Sequence, residues 1–171
     1  EVDILFLKQI ELTYLPKVRK LLYLLSINAP CAPNVSQLSK EIQTSRATVV
    51  NYIKYLKDAR LINMLYPIHE EFPKKPAMVY MHNTNLMYPM RPSQVGEQAI
   101  RETFFYNILH KDNRLNKGER NAQFLVNQKY NFRIEGENIR RRANPDLYYA
   151  VDMIETGHEN KIPLWLFGFL Y

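Results

Sequence analysis

Glycine is scarce in this 171-residue chain, with five copies, and cysteine and tryptophan occur once each. The lone cysteine, Cys31, excludes an internal disulfide and any zinc site built from several cysteines. It sits among prolines with no histidine close in sequence, which argues against a catalytic thiol. No apolar run approaches the roughly 18 residues that span a bilayer. The most apolar early window, Leu21 to Leu25, is flanked by Lys17, Arg19 and Lys20 and has no small-residue cleavage site, so it reads as a core helix. No G-x-x-x-x-G-K-[ST] run occurs, so no loop of this chain can cradle nucleotide phosphates in its amides. His69, His82, His110 and His158 are scattered, and no two share a helix face as zinc ligands would. A cytoplasmic protein with no membrane partner is the expectation. The chain opens at Glu1 in mid-pattern, as a piece cut from a longer protein does.

What is present is ordinary for a folded protein: 46% hydrophobic, 23% charged and 12% aromatic residues, enough for a sizeable core. Net charge is +6. Residues 1–82 hold eleven Lys and Arg against seven Asp and Glu. That mild excess is compatible with nucleic acid without requiring it.

Apolar spacing divides the chain. Tyr14 to Ile27 reads as an amphipathic helix with Leu15, Val18, Leu22 and Leu25 inward. Pro30 and Pro33 stop it, and Asn34 to Ser36 can cap a short helix to Gln43 carrying Leu38 and Ile42. Thr44 and Ser45 make a turn, and a third helix from Arg46 to about Ala59 buries Val49, Tyr52, Ile53 and Leu56. Strands at Leu61–Tyr66 and Met78–Met81 flank the loop Pro67–Pro76. Helix, helix, turn, helix, hairpin is the order of a winged helix-turn-helix, expected over residues 1–82. Arg60 stands where such motifs often have glycine.

From 83 to 171 a small α/β domain is expected, making the whole α+β. Gln94–His110 reads as a helix with Ile100, Phe104, Phe105, Ile108 and Leu109 inward. Lys111–Asn121 reads as a loop. Strands follow at Gln123–Val126, Tyr130–Ile134 and Leu147–Val151, and the apolar run Pro163–Tyr171 reads as a strand covered on both faces.

The second helix of a helix-turn-helix presents its first turns to the major groove. Arg46 and Asn51 are types that pair with guanine and adenine edges. Ser45, Thr48 and Lys54, with Lys74 and Lys75 on the wing, are candidates for phosphate. The opposing reading is plain: winged helices also bind proteins, and polar residues on a helix surface need no ligand.

The run Val35 to Ile62 resembles the winged helix found behind the ATPase module of a bacterial and archaeal AAA+ family. In that family a segment similar to Met78-Val-Tyr-Met-His-Asn-Thr-Asn-Leu86 leads into a C-terminal domain of unknown function, which is similar to the PD-(D/E)-x-K nuclease fold. Its opening glutamate-bearing helix is matched by Arg101 to Leu109. The resemblance covers nearly all the chain from about Leu15. It implies a missing N-terminal ATPase module as partner, with ATP and magnesium belonging to that module and no cofactor or metal held by this fragment. It also implies a degenerate restriction-endonuclease-like domain. Glu102 matches the helix acid and Asp146 the strand aspartate, but Trp165 and Phe167 stand where the acid and lysine belong. Neither can bind a cation or activate water. Asp152, Glu155 and Glu159 fall in the preceding strand end and loop. Glu102 and Asp146 read equally well as surface charges.

The function expected is therefore a non-catalytic C-terminal region that recognises double-stranded DNA or a protein partner. The alternative is a protein-interaction or oligomerisation module without DNA binding, packing on the ATPase or on another subunit, with Phe105 and Tyr106 as contact residues. A metal-dependent nuclease ranks last. The Arg140-Arg141-Arg142 run suits phosphate, an acidic partner or simple solvation.

Overall fold

The computed structural model describes residues 14–90, 95–136 and 144–170. The fold is α+β. The chain forms two compact units: Glu1–Met64 with Glu70–Gln94, and Leu65–His69 with Val95–Tyr171.

In the first unit, α1 spans Leu15–Ser26 and opens with a proline in its first turn, where a missing N–H costs nothing. Its buried stripe is Val18, Leu21 and Leu25; Leu22, expected inward, is only half-buried. Helix α2 covers Val35–Glu41, and the Asn34 side chain accepts the Gln37 N–H at 3.1 Å. Helix α3 covers Arg46–Asp58, and the Ser45 hydroxyl accepts the Thr48 N–H at 3.0 Å. Each cap satisfies an amide that the helix leaves without a partner.

Both helices end through a residue with positive φ, Gln43 at 51° and Arg60 at 56°. After α3 the Leu61 N–H reaches back to the Leu56 carbonyl and the Arg60 N–H to that of Lys57. The same two-bond closure follows α2, from Thr44 to Ser39 and from Gln43 to Lys40. The turn after α3 is thus of the kind glycine favours, with arginine in its place.

Strands β1 (Ile62–Leu65) and β2 (Met78–Met81) pair as a two-stranded sheet. Cys31 adds a bridge to Val79 through two hydrogen bonds, of 3.0 and 2.8 Å. Val49 and Ile53 of α3, Leu21 of α1, Ile62 of β1 and Val79 of β2 are fully buried. A short helix α4 (Met87–Met90) follows a 3-10 turn at Thr84–Leu86, in the same unit.

The second unit holds α5 (Glu97–Leu109) and five strands: β3 (Leu115–Lys117), β4 (Phe124–Val126), β5 (Tyr130–Glu135), β6 (Tyr148–Val151) and β7 (Lys161–Pro163). They lie in sequence order; β3, β4 and β5 form an antiparallel meander, then β6 and β7 continue parallel to β5. Phe124, Phe132 and Tyr148 stand opposite one another across three strands. Phe105 of α5 packs on Phe124 and Phe132 at 5.1 and 5.2 Å between ring centres, and on Phe167 at 5.0 Å. Such aromatic clusters bury large areas in favourable edge and offset geometries.

Two expectations fail here. The segment Lys111–Asn121 contains strand β3, where buried Asn116 donates to the carbonyls of Tyr66 and Pro67. The run Pro163–Tyr171 is not a strand; after β7 the chain coils into a 3-10 helix, Leu164–Leu170, burying only Leu164 and Phe167. Helix α5 begins at Glu97, and Ile100 and Phe104 of its expected face are half-buried.

Candidate functional site

Helix α3 turns Val49, Tyr52, Ile53 and Leu56 inward and leaves Arg46, Ala47, Asn51, Tyr55 and Lys57 exposed. The seven residues expected to face nucleic acid do not behave alike. Ser45 serves as the α3 cap, and its hydroxyl also meets that of Thr48 at 2.8 Å. Lys54 is half-buried and ion-paired with Asp58 one turn on, at 2.5 Å. Lys74 pairs with Glu70 at 3.1 Å. Among the described residues only Arg46 and Lys75 of the basic set carry no ion pair, and both are exposed. The sequence reading missed Asp58 and Glu70. For Asp58 the i, i+4 spacing to Lys54 along a helix was the available signal; Glu70 and Lys74 lie in a loop, where that spacing carries none.

Lys17 and Lys20 of α1 also go elsewhere: their ammonium groups donate to the carbonyls of Gln43 and Glu41, at 2.8 and 2.7 Å. Cations there satisfy the carbonyl end of α2 and complement its dipole.

A cleft of about 300 Å³ lies between the end of α1, the 28–34 loop and α2. Leu24, Leu25, Ala32, Pro33 and Leu38 supply its apolar wall, with Cys31, Asn28, Gln37 and Glu41 among its other residues. Burial pushes the Cys31 thiol above its ordinary value, the opposite of the shift that activates a thiol.

In the second unit, Glu102 is half-buried and accepts from Gln98 at 3.0 Å and Gln123 at 3.5 Å. Asp146 is exposed and faces Arg120 at 3.9 Å. Asp152 is bound to Arg101, whose Nε donates to it at 2.8 Å while Nη2 donates to Glu97 at 2.7 Å. The hydrogen bond to Asp152, more than that to Glu97, raises the affinity of this guanidinium for its proton. Among the described residues no group of three or more His, Cys, Asp or Glu side chains converges to hold a metal ion.

Trp165 and Phe167 lie on the 3-10 helix. Phe167 is buried against Phe105 and Phe132, and the Trp165 indole donates to the Ile154 carbonyl at 3.1 Å. The magnesium that a nuclease frame would imply does not fit such residues, because neither ring can coordinate it. Phe105 and Tyr106, expected as contact residues, are core residues at 0% and 7% exposure. Burial raises the Tyr106 phenol well above its ordinary value. Arg140, Arg141 and Arg142 lie outside the described residues. No helix among the described residues is long and apolar enough to cross a membrane.

These elements define an α+β chain whose first unit carries helices α1, α2 and α3, two of them capped by side chains, together with β2 and most of β1. The chain belongs to a family described as a domain of unknown function (DUF8612), whose model matches residues 1–87. No curated protein and no solved structure matches it.

Proposed function

We propose that the first unit is a winged helix that binds double-stranded DNA, with α3 in the major groove and the β1–β2 hairpin as the wing. The observation that carries this reading is the division of α3: one side is sealed in the core, while Arg46 and Asn51 stand exposed in its first turns. The third strand-like contact, Cys31 on Val79, and the hairpin add the accompanying architecture. The second unit is, on this reading, a nuclease-like frame without catalysis, and the AAA+ resemblance assigns the ATP-driven step to a separate module.

Fluorescence anisotropy with a random labelled duplex tests the proposal. Binding at low salt is expected, weakened several-fold by Arg46→Ala, which removes one of the few unpaired cations that a phosphate backbone would meet. Absence of binding even at low salt sinks it, because phosphate contacts strengthen as salt falls.

A second reading, recognition of a protein by the same unit, is favoured by the pairing of Lys54 with Asp58 and Lys74 with Glu70. Both pairs engage cations that would otherwise face a phosphate backbone. The same titration separates the two, because a protein-only surface leaves the duplex free.

A further inference from the structure

The largest apolar side chains left in solvent gather at one place in the second unit. On the 3-10 helix, Trp165 is 51% exposed, Leu166 40% and Phe169 79%; on the turn after β6, Met153 is 73% exposed. Trp165 joins the two segments: its ring meets Phe169 at 6.0 Å, and its indole N–H binds the carbonyl of Ile154, next to Met153. Leu166 and Phe169 are three residues apart, and in a 3-10 helix such residues lie one above the other.

Met153 is held out at a cost. Its φ is 63°, a left-handed conformation that suits glycine or asparagine, and the Asp152 carboxylate accepts its N–H at 2.9 Å. A large apolar side chain kept in that conformation and in water gains nothing within the chain.

We infer that this surface is where two copies of the chain meet about a twofold axis. An apolar patch is self-complementary across such an axis, whereas a charged patch repels its own image. Trp165, Leu166, Phe169 and Met153 together expose on the order of 500 Å². That is the upper range for the largest patch on a monomer, and more than half of the roughly 800 Å² per partner of a standard interface. The exposed residues Glu155, Thr156, His158 and Glu159 follow Met153 in sequence and supply polar groups for a solvated rim.

Trp165 is the only tryptophan in the chain, so it reports on this surface alone. The test is sedimentation velocity and tryptophan emission of the 171-residue chain from submicromolar to about 100 μM. The expected result is a monomer–dimer equilibrium, with emission moving to shorter wavelength and acrylamide quenching falling as dimer forms. Phe169→Glu should weaken association at least 30-fold and abolish the spectral change. Met153→Asn relieves the backbone while removing the apolar contact, so it should weaken association with no loss of thermal stability. A monomer throughout the range overturns the inference. So does a dimer that survives Phe169→Glu with Trp165 still fully quenchable, since the contact then lies elsewhere. A tryptophan shielded in a chain that sediments as monomer overturns it too.

Discussion

At the scale of single residues, caps were the most legible feature. Asn34 and Ser45 accept amide hydrogens as their types and positions foretell, because an N-cap depends on one side chain and the two or three residues after it. Arg60 shows the converse. The turn after α3 needs a left-handed residue whatever the side chain, and arginine occupies it at φ 56°. Its backbone is held by the Arg60–Lys57 and Leu61–Leu56 hydrogen bonds, so the turn keeps its form. Arg60→Gly is expected to stabilise the protein by roughly 0.5–1 kcal/mol, the relief of left-handed strain exceeding the added freedom of the unfolded chain. Arg60→Val should destabilise by about 1 kcal/mol or more, because branching worsens the same conformation. Urea denaturation of the three proteins decides it; an Arg60→Gly midpoint below the parent's refutes the strain account.

Among elements, helices α1, α2 and α3 and strands β1 and β2 were readable because their faces repeat every three to four or every two residues. The end of the chain was not. Apolar density in Pro163–Tyr171 looks the same whether a segment is a doubly covered strand or a coil that leaves half its side chains in water, and the exposed partners of Trp165 and Phe169 cannot be read from one chain's composition. Strand β3 was hidden for the opposite reason: three residues with one buried asparagine carry no apolar period. The coil after β7 also decides what the positions singled out by the nuclease resemblance can become. Phe167 fills the space between Phe105 and Phe132, so restoring the motif with Trp165→Glu and Phe167→Lys buries an ammonium group there instead of building a site. A cost of about 3–5 kcal/mol is expected for Phe167→Lys, from the lost packing and the buried charge. The double variant should lose the cooperative unfolding of the second unit and show no magnesium-dependent cleavage of plasmid DNA. A stable, cleaving double variant would mean that the frame had kept a working metal position.

For the molecule as a whole, net charge and usable charge differ. The +6 balance is visible in composition, but geometry decides which cations are engaged: Lys17 and Lys20 close α2, Lys54 meets Asp58, and Lys74 meets Glu70. The candidate DNA face was thus half legible, its positions from the helical period and its cations only by type, since a lysine's partner depends on which acids folding brings near. On the proposed reading two cations of that face, Arg46 and Lys75, remain to displace counterions, with Lys54 joining only by giving up Asp58. Each neutralised phosphate contributes about −0.9 to the slope of log affinity against log salt, so a slope of roughly −2 to −3 is expected. Asp58→Asn removes a negative charge from the solvent side of α3 and frees Lys54. It should tighten duplex binding several-fold and steepen the slope by about one, while costing the fold no more than the ~0.5 kcal/mol of a helix-surface pair. Affinity unchanged or weakened by Asp58→Asn, with melting temperature intact, would place the outer side of α3 away from phosphate and leave the protein-binding reading as the one supported by the paired lysines.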